Sequence, residues 1–284
     1  MDATLIYIGA NGNQINLFRN PYFDLTNVDG MTGVASNISA STTPSMDGDK
    51  VNNIQTQPRG IVLDLRIKDY VSVKDAKQYI LSTIKPKQRG QLVFSRGERN
   101  VNIYGVVESI SMPRFSQEVT MQVSLYCSDP YWHDVENVLL EITRVLDMHY
   151  FPLDVGGLAF PVDGVVMGEY DLNMTRTYTN DGDAECGVVI TIIALSKVVN
   201  PAIYKADGTY IGVSDTMETG DEIVINTNRG EKGITKNGAN ILSKIMPGST
   251  FIQLDTGDNE LTVDSDGDTE GNVYFTLSFK RRFV

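Results

Sequence analysis

Turn-forming pairs break this chain at short intervals: Asn11-Gly12 and Asn20-Pro21 near the start, then Asp181-Gly182, Asp207-Gly208, Thr219-Gly220, Asn237-Gly238, Thr256-Gly257 and Asp266-Gly267. Glycine and asparagine tolerate the positive φ of tight turns, and the pieces between them are too short for helices that bury a face. Those pieces instead alternate with period two. Leu63-Asp64-Leu65-Arg66-Ile67 sets apolar side chains on one side and charged ones on the other, and Val119, Met121, Val123 and Leu125 repeat the pattern. Short strands are read within 5–25, then at 60–67, 91–94, 101–110 and 115–126. A second series falls at 187–195, 201–204, 209–213, 222–226, 251–254, 260–263 and 272–279, with a two-sheet sandwich as its expected form.

One helix interrupts the strands. Val73, Ala76, Ile80 and Ile84 fall three or four apart, Ser72 and Asp75 are placed to cap the first turn, and Pro86 stops continuation. Residues 31–57 are Ser, Thr, Asn and Gly with scattered apolar positions, too little to bury, and read as a long exposed loop or extended arm. Residues 135–150 fit a short helix or a strand and are taken as a linking element.

With 284 residues the chain exceeds one comfortable core and divides into two domains, read as 1–135 and 136–284. Before residue 135 there are 13 basic and 13 acidic side chains, and after it 11 and 23, so the whole net charge of −12 belongs to the second part. That balance argues against binding duplex DNA or an anionic membrane. The apolar runs stop far short of the ~20 residues that cross a bilayer, so no membrane anchor is expected. The opening segment has no basic leader, which points to synthesis and folding in the cytoplasm. Cys127 and Cys186 sit in strand-like contexts and read as two buried thiols.

The chemistry-bearing residues do not assemble into a motif. His133 and His149 lie beside aromatics and read as packing residues, with no Ser or Cys in a nucleophile context. No phosphate-cradling glycine loop occurs. The acidic runs 264–270 and 181–185 lack the length and glycine placement of a calcium loop and read as hairpin tips. No catalytic, cofactor-binding or metal-ligating residue is nominated, and the chain is read as a non-enzyme.

The segment Leu125-Tyr126-Cys127-Ser128-Asp129-Pro130-Tyr131-Trp132, which holds the only tryptophan, resembles the Asp-Pro-Tyr-Trp signature closing the N-terminal domain of distal tail proteins of long-tailed bacteriophages. Tyr22-Phe23-Asp24-Leu25 and Arg59-Gly60-Ile61-Val62-Leu63 are similar to that family's opening. The stretches 219–227, 234–238, 248–254 and 257–259, and a closing strand at 273–283, resemble its C-terminal domain in the same order. The stretch 135–167 departs from the pattern.

This resemblance implies a mainly β protein: an N-terminal β-sandwich-like belt domain with one helix, and a C-terminal domain like galectins and carbohydrate-binding modules. It also implies a homo-hexameric ring at the distal end of the virion tail, assembled in the host cytoplasm. The ring joins the tail tube protein to a lysin-like tail-tip hub protein, with a receptor-binding protein or host surface glycan as a further partner. Genomic DNA passes through it without specific binding.

Rings need heterologous contacts that close by rotation, and the 31–57 arm and the turn at Arg96-Gly97 are the candidate fasteners. The basic cluster Arg59, Arg66, Lys68, Lys74, Lys77, Lys85, Lys87, Arg89, Arg96 and Arg99 is expected to face solvent or an acidic protein ring rather than the bore. The competing function is a carbohydrate-binding module, disfavoured because the second part has no tryptophan and its Tyr and Phe residues sit at alternating strand positions.

Overall fold

Period-two alternation becomes antiparallel sheet in both parts of the chain. The structure is a computed structural model that describes residues 3–42, 47–112, 119–141, 149–151, 165–167, 175–266 and 273–284. Two units result: 1–136 together with 282–284, and 137–281.

Unit 1 contains β1 (Thr4–Gly9), β2 (Gln14–Asn16), β3 (Phe23–Asp29), β4 (Ser36–Thr42), β5 (Asp49–Thr56), β6 (Arg59–Ile67), α1 (Val73–Thr83), β7 (Arg89–Arg96), β8 (Arg99–Ser111), β9 (Thr120–Cys127) and β10 (Trp132–Asp134). The main sheet runs β2-β1-β7-β8-β9-β6-β3, and β10 pairs with the first part of β8. A register shift between Val107 and Ser109 marks a bulge, which bends the long β8. Inward side chains of every strand in this sheet, including Leu5, Leu63, Ile103 and Val123, converge with Ile80 and Ile84 on one core. Each such side chain contributes roughly 1.5–3 kcal/mol on burial.

The helix covers Val73–Thr83; Ala76 and Ile80 are buried as the spacing predicts, and so is Ile84 just past its end, but Val73 in the first turn is exposed and Thr83 is buried instead. Its cap differs from expectation. Ser72 stands at the N-cap in extended conformation, yet its hydroxyl makes no cap hydrogen bond; only its carbonyl serves, accepting from Ala76. Of the two forms read for the 31–57 segment, loop or extended arm, it takes the second: most of it is an exposed hairpin of β4 and β5.

Unit 2 contains β11 (Val138–Glu141), β12 (His149–Phe151), β13 (Val165–Met167), β14 (Thr175–Asn180), β15 (Cys186–Ala194), β16 (Val198–Lys205), β17 (Tyr210–Gly212), β18 (Thr216–Met217), β19 (Glu222–Asn226), β20 (Gly233–Lys236), β21 (Ala239–Asn240), β22 (Gln253–Leu254), β23 (Gly257–Asp266) and β24 (Val273–Phe279). One sheet runs β11-β24-β15-β19-β20-β21, with β22 beside β15; another runs β14-β23-β16-β17, with β18 beside β16; β12 and β13 pair separately. The two larger sheets share a core, Ile190, Ile192, Ile223 and Phe275 from one meeting Ile203, Ile211, Leu261 and Val263 from the other.

Asn237 and Gly238 both take positive φ, +48° and +79°, the two-residue turn that joins β20 to β21. The linking element read at 135–150 includes the edge strand β11, paired to β24; residues 142–148 lie outside the described residues. The last strand, β25 (Arg282–Phe283), belongs to unit 1, where it pairs β10 through Trp132 with Phe283 and His133 with Arg282.

Candidate interaction surface

Every residue of β4 and β5 is exposed. Ile38 pairs directly with Ile54, and Ala40 with Val51, the register shifting between Ser39 and Ala40. Because strand side chains alternate, these four share one face, while Asn37, Ser39, Asn53 and Gln55 occupy the other. Ile38, Val51 and Ile54 are 59%, 53% and 62% exposed. An isolated two-stranded hairpin is marginal in water, and among the described residues this one has no third strand and no core cluster of its own. Its apolar face is therefore built for cover that the described residues do not supply.

The root of this arm is held firmly. Met31, where the chain leaves the sheet, presents its carbonyl to two donors: Arg59 Nη1 at 2.9 Å and the Trp132 indole Nε1 at 3.1 Å. Arg59 Nη1 also lies 3.3 Å from the Gly30 carbonyl. Across the root, the Gln57 amide donates to the Ala35 carbonyl at 2.8 Å. Arg59 thus departs from the exposed basic cluster expected of it. It is 5% exposed, and burial lowers its pKa, opposed by the neighbouring Cys127. The reason is its position three residues past β5, at the first rung of β6 opposite Cys127, where its side chain spans the base of the arm.

The Asp-Pro-Tyr-Trp segment meets the same root. Asp129 accepts from the Tyr131 amide at 3.2 Å and from Arg282 Nη2 at 2.7 Å, and His133 Nε2 lies 3.1 Å from its other oxygen. The Arg282 guanidinium stacks on Tyr131, its Cζ 4.1 Å from the ring centroid. The Tyr131 hydroxyl reaches to 3.4 Å from that of Thr56, the last residue of β5. His133 therefore has a carboxylate partner where a packing role was expected. The side chain of His149 lies outside the described residues.

The rest of the basic cluster splits. Lys68 and Arg66 lie 3.4 and 4.0 Å from Asp24, and the Arg99 guanidinium lies over the Phe283 ring. Lys74, Lys77, Lys85, Lys87, Arg89 and Arg96 are all exposed. The turn at Arg96-Gly97 closes β7 onto β8, with Gly97 at φ +62°. In the acidic runs, Asp181 takes two contacts of 3.0 Å from Arg281, and Glu185 pairs with Arg229. Asp264 and Asp266 belong to β23, and the remainder of that run lies outside the described residues. Among the described residues no group of His, Cys, Asp and Glu is placed to hold a metal. Both cysteines are buried and neither is in a disulfide. In unit 2 the half-exposed Tyr204 stacks on Tyr210, whose hydroxyl is committed to the Pro247 carbonyl.

Two family profiles match side by side: a phage tail protein RIFT-related domain over residues 10–127, and the C-terminal domain of a siphovirus-type tail component over 181–283. The chain belongs to the siphophage distal tail protein family. Its fold is that of the Dit protein of phage SPP1, with a TM-score of 0.74 at 15% identity over all of both chains; the structure of that protein is described as a paradigm of the hub adsorption apparatus in phages infecting Gram-positive hosts. A chain of the phage p2 baseplate in its activated, calcium-bound conformation is similar at TM-score 0.52 and 14% identity, again over both full chains. No curated protein sequence matches. Distal tail proteins are structural components of the tail tip, not enzymes, and that role applies to this chain.

Proposed function

We propose that six copies of this distal tail protein close into a ring at the end of the tail, each arm lying against the next copy. The observation that carries the reading is the β4–β5 hairpin, both strands of which are exposed and apolar on one face. A second copy offers the same cover at every position around the ring, so one heterologous contact, repeated, satisfies all the arms. Unit 1 is the ring-forming belt, and unit 2 is a galectin-like sandwich. The ring joins the tube protein to the hub protein and, through unit 2, reaches host-recognition components. DNA passes along its bore without specific contacts, consistent with a chain of net charge −12. The exposed lysines from Lys74 to Lys87 face an acidic protein neighbour rather than the bore.

Deleting 33–56 tests this. Negative-stain microscopy of the full chain is expected to show six-lobed annuli, and light scattering a mass six times that of the monomer. The shortened chain is expected to stay monomeric. A full-length chain that remains a monomer at high concentration, or an arm-less chain that still forms the same annuli, would overturn the reading.

A further inference from the structure

We infer that Arg282 is a positioning residue for the arm, setting the geometry of its root from the far end of the sequence. The inference rests on the arm being the contact between copies and adds what aligns it. Three observations converge. Arg282 is 7% exposed, ion-paired to Asp129 at 2.7 Å and stacked on Tyr131, so its side chain has little freedom. Its backbone pairs with β10 at His133, and the adjacent Phe283 pairs with Trp132. Trp132 in turn donates to Met31, the residue at which the chain departs towards the arm, while Tyr131 touches Thr56, where the arm ends.

Both ends of the arm are therefore tied to two consecutive residues, Tyr131 and Trp132, and both of these are fixed by β25. A bidentate-capable, planar guanidinium suits this place: it pairs with a carboxylate along its edge and covers an aromatic ring with its face, whereas an ammonium does the first without the second. Among the described residues the arm makes no core contacts of its own, so a shift of β10 by a fraction of an ångström is carried outward along the hairpin as a change of direction.

Hydrogen exchange on the full chain, read at the Gln57 amide and at core amides of β6 and β9, tests the inference alongside ring mass. In Arg282→Ala the Gln57 amide is expected to exchange at least tenfold faster while the β6 and β9 amides hold their rates. The concentration for half-assembly is expected to rise at least fivefold. Arg282→Lys should fall between. Trp132→Phe, which keeps an aromatic ring but loses the indole donor, should reproduce the Gln57 effect, and the double variant Trp132→Phe/Arg282→Ala should add less than twofold to it. Should Arg282→Ala fail to fold, Asp129→Asn carries the same expectation.

Unchanged exchange at Gln57, a parallel rise at β6 and β9, or fully multiplicative effects in the double variant would overturn the inference. A wild-type chain that never assembles, with Gln57 exchange still governed by Arg282, would sink the ring and leave the positioning role standing.

Discussion

Ile38 and Ile54 face each other across the β4–β5 ladder, each more than half exposed. An Ile–Ile pair is a strong cross-strand contact, but in water it leaves much of both side chains wet. Covering an isoleucine is worth roughly 1.5–3 kcal/mol, and each 1.4 kcal/mol is about tenfold in an association constant. The double variant Ile38→Asn/Ile54→Asn is therefore expected to weaken self-association by at least about a hundredfold, read by sedentation of dilution series in the analytical ultracentrifuge. Thermal unfolding of unit 1 should move by less than about 0.5 kcal/mol, as for exposed positions generally.

Two glycines near the arm separate strain from collision. Gly30 and Gly33 have nearly the same φ, +80° and +76°. A Cβ on Gly30 would stand 2.0 Å from the Gly60 carbonyl oxygen, while one on Gly33 meets nothing within 4 Å. Gly33→Ala should cost only the left-handed conformation, about 1 kcal/mol, and Gly30→Ala at least about 2 kcal/mol more, because backbone must move. Denaturant titration of both variants checks the difference.

Acid should act on unit 1 through Asp129. Burial pushes its carboxyl up, but the hydrogen bonds from His133 and Arg282 outweigh burial and hold it well below the usual carboxylate range. A depressed folded-state pKa means stability that is fully present above the unfolded value near 3.9 and is lost as pH falls from there towards the folded value. Between pH 5 and pH 3 the wild-type melting temperature of unit 1 should fall more steeply than that of Asp129→Asn. In unit 2, Asp221 is held low in the same sense by the Lys236 ammonium and the Glu218 amide, so Asp221→Asn should flatten the corresponding acid limb there.

The thiols should be silent. Burial pushes Cys127 up to about 11 despite the nearby Arg59, and Cys186 is 1% exposed. Native protein at pH 8 is expected to react with a thiol reagent over hours, and two equivalents should appear at once in denaturant. Fast native labelling of either cysteine would contradict the core described.

Local pattern explains what the sequence disclosed. Ile223 and Ile225 alternate with solvent-facing neighbours, and the strand Glu222–Asn226 falls on the residues read for it. Thr175–Asn180 escaped because only Tyr178 among its side chains is apolar and buried, too weak a period to detect. The exposure of the arm is legible in the sequence but its strand pairing is not, since Ser, Thr and Asn on both partners give no buried face to alternate against. The site at its root was half visible. Tyr131 and Trp132 stand out by their signature, whereas Arg282, the second partner of Asp129 beside His133, lies 153 residues away, and no spacing rule links such positions. Arg59 reads in the sequence like its surface neighbours because charge alone does not disclose the two carbonyls beside it.

Unit 2 is entered after residue 136 and left before residue 282, so the chain spans the junction twice. A load pulling on that unit is shared by two backbone threads that run into neighbouring antiparallel strands, β10 and β25, from the same end. The rung nearest both threads is His133 with Arg282, and both side chains reach Asp129, so one carboxylate ties the outgoing thread to the returning one.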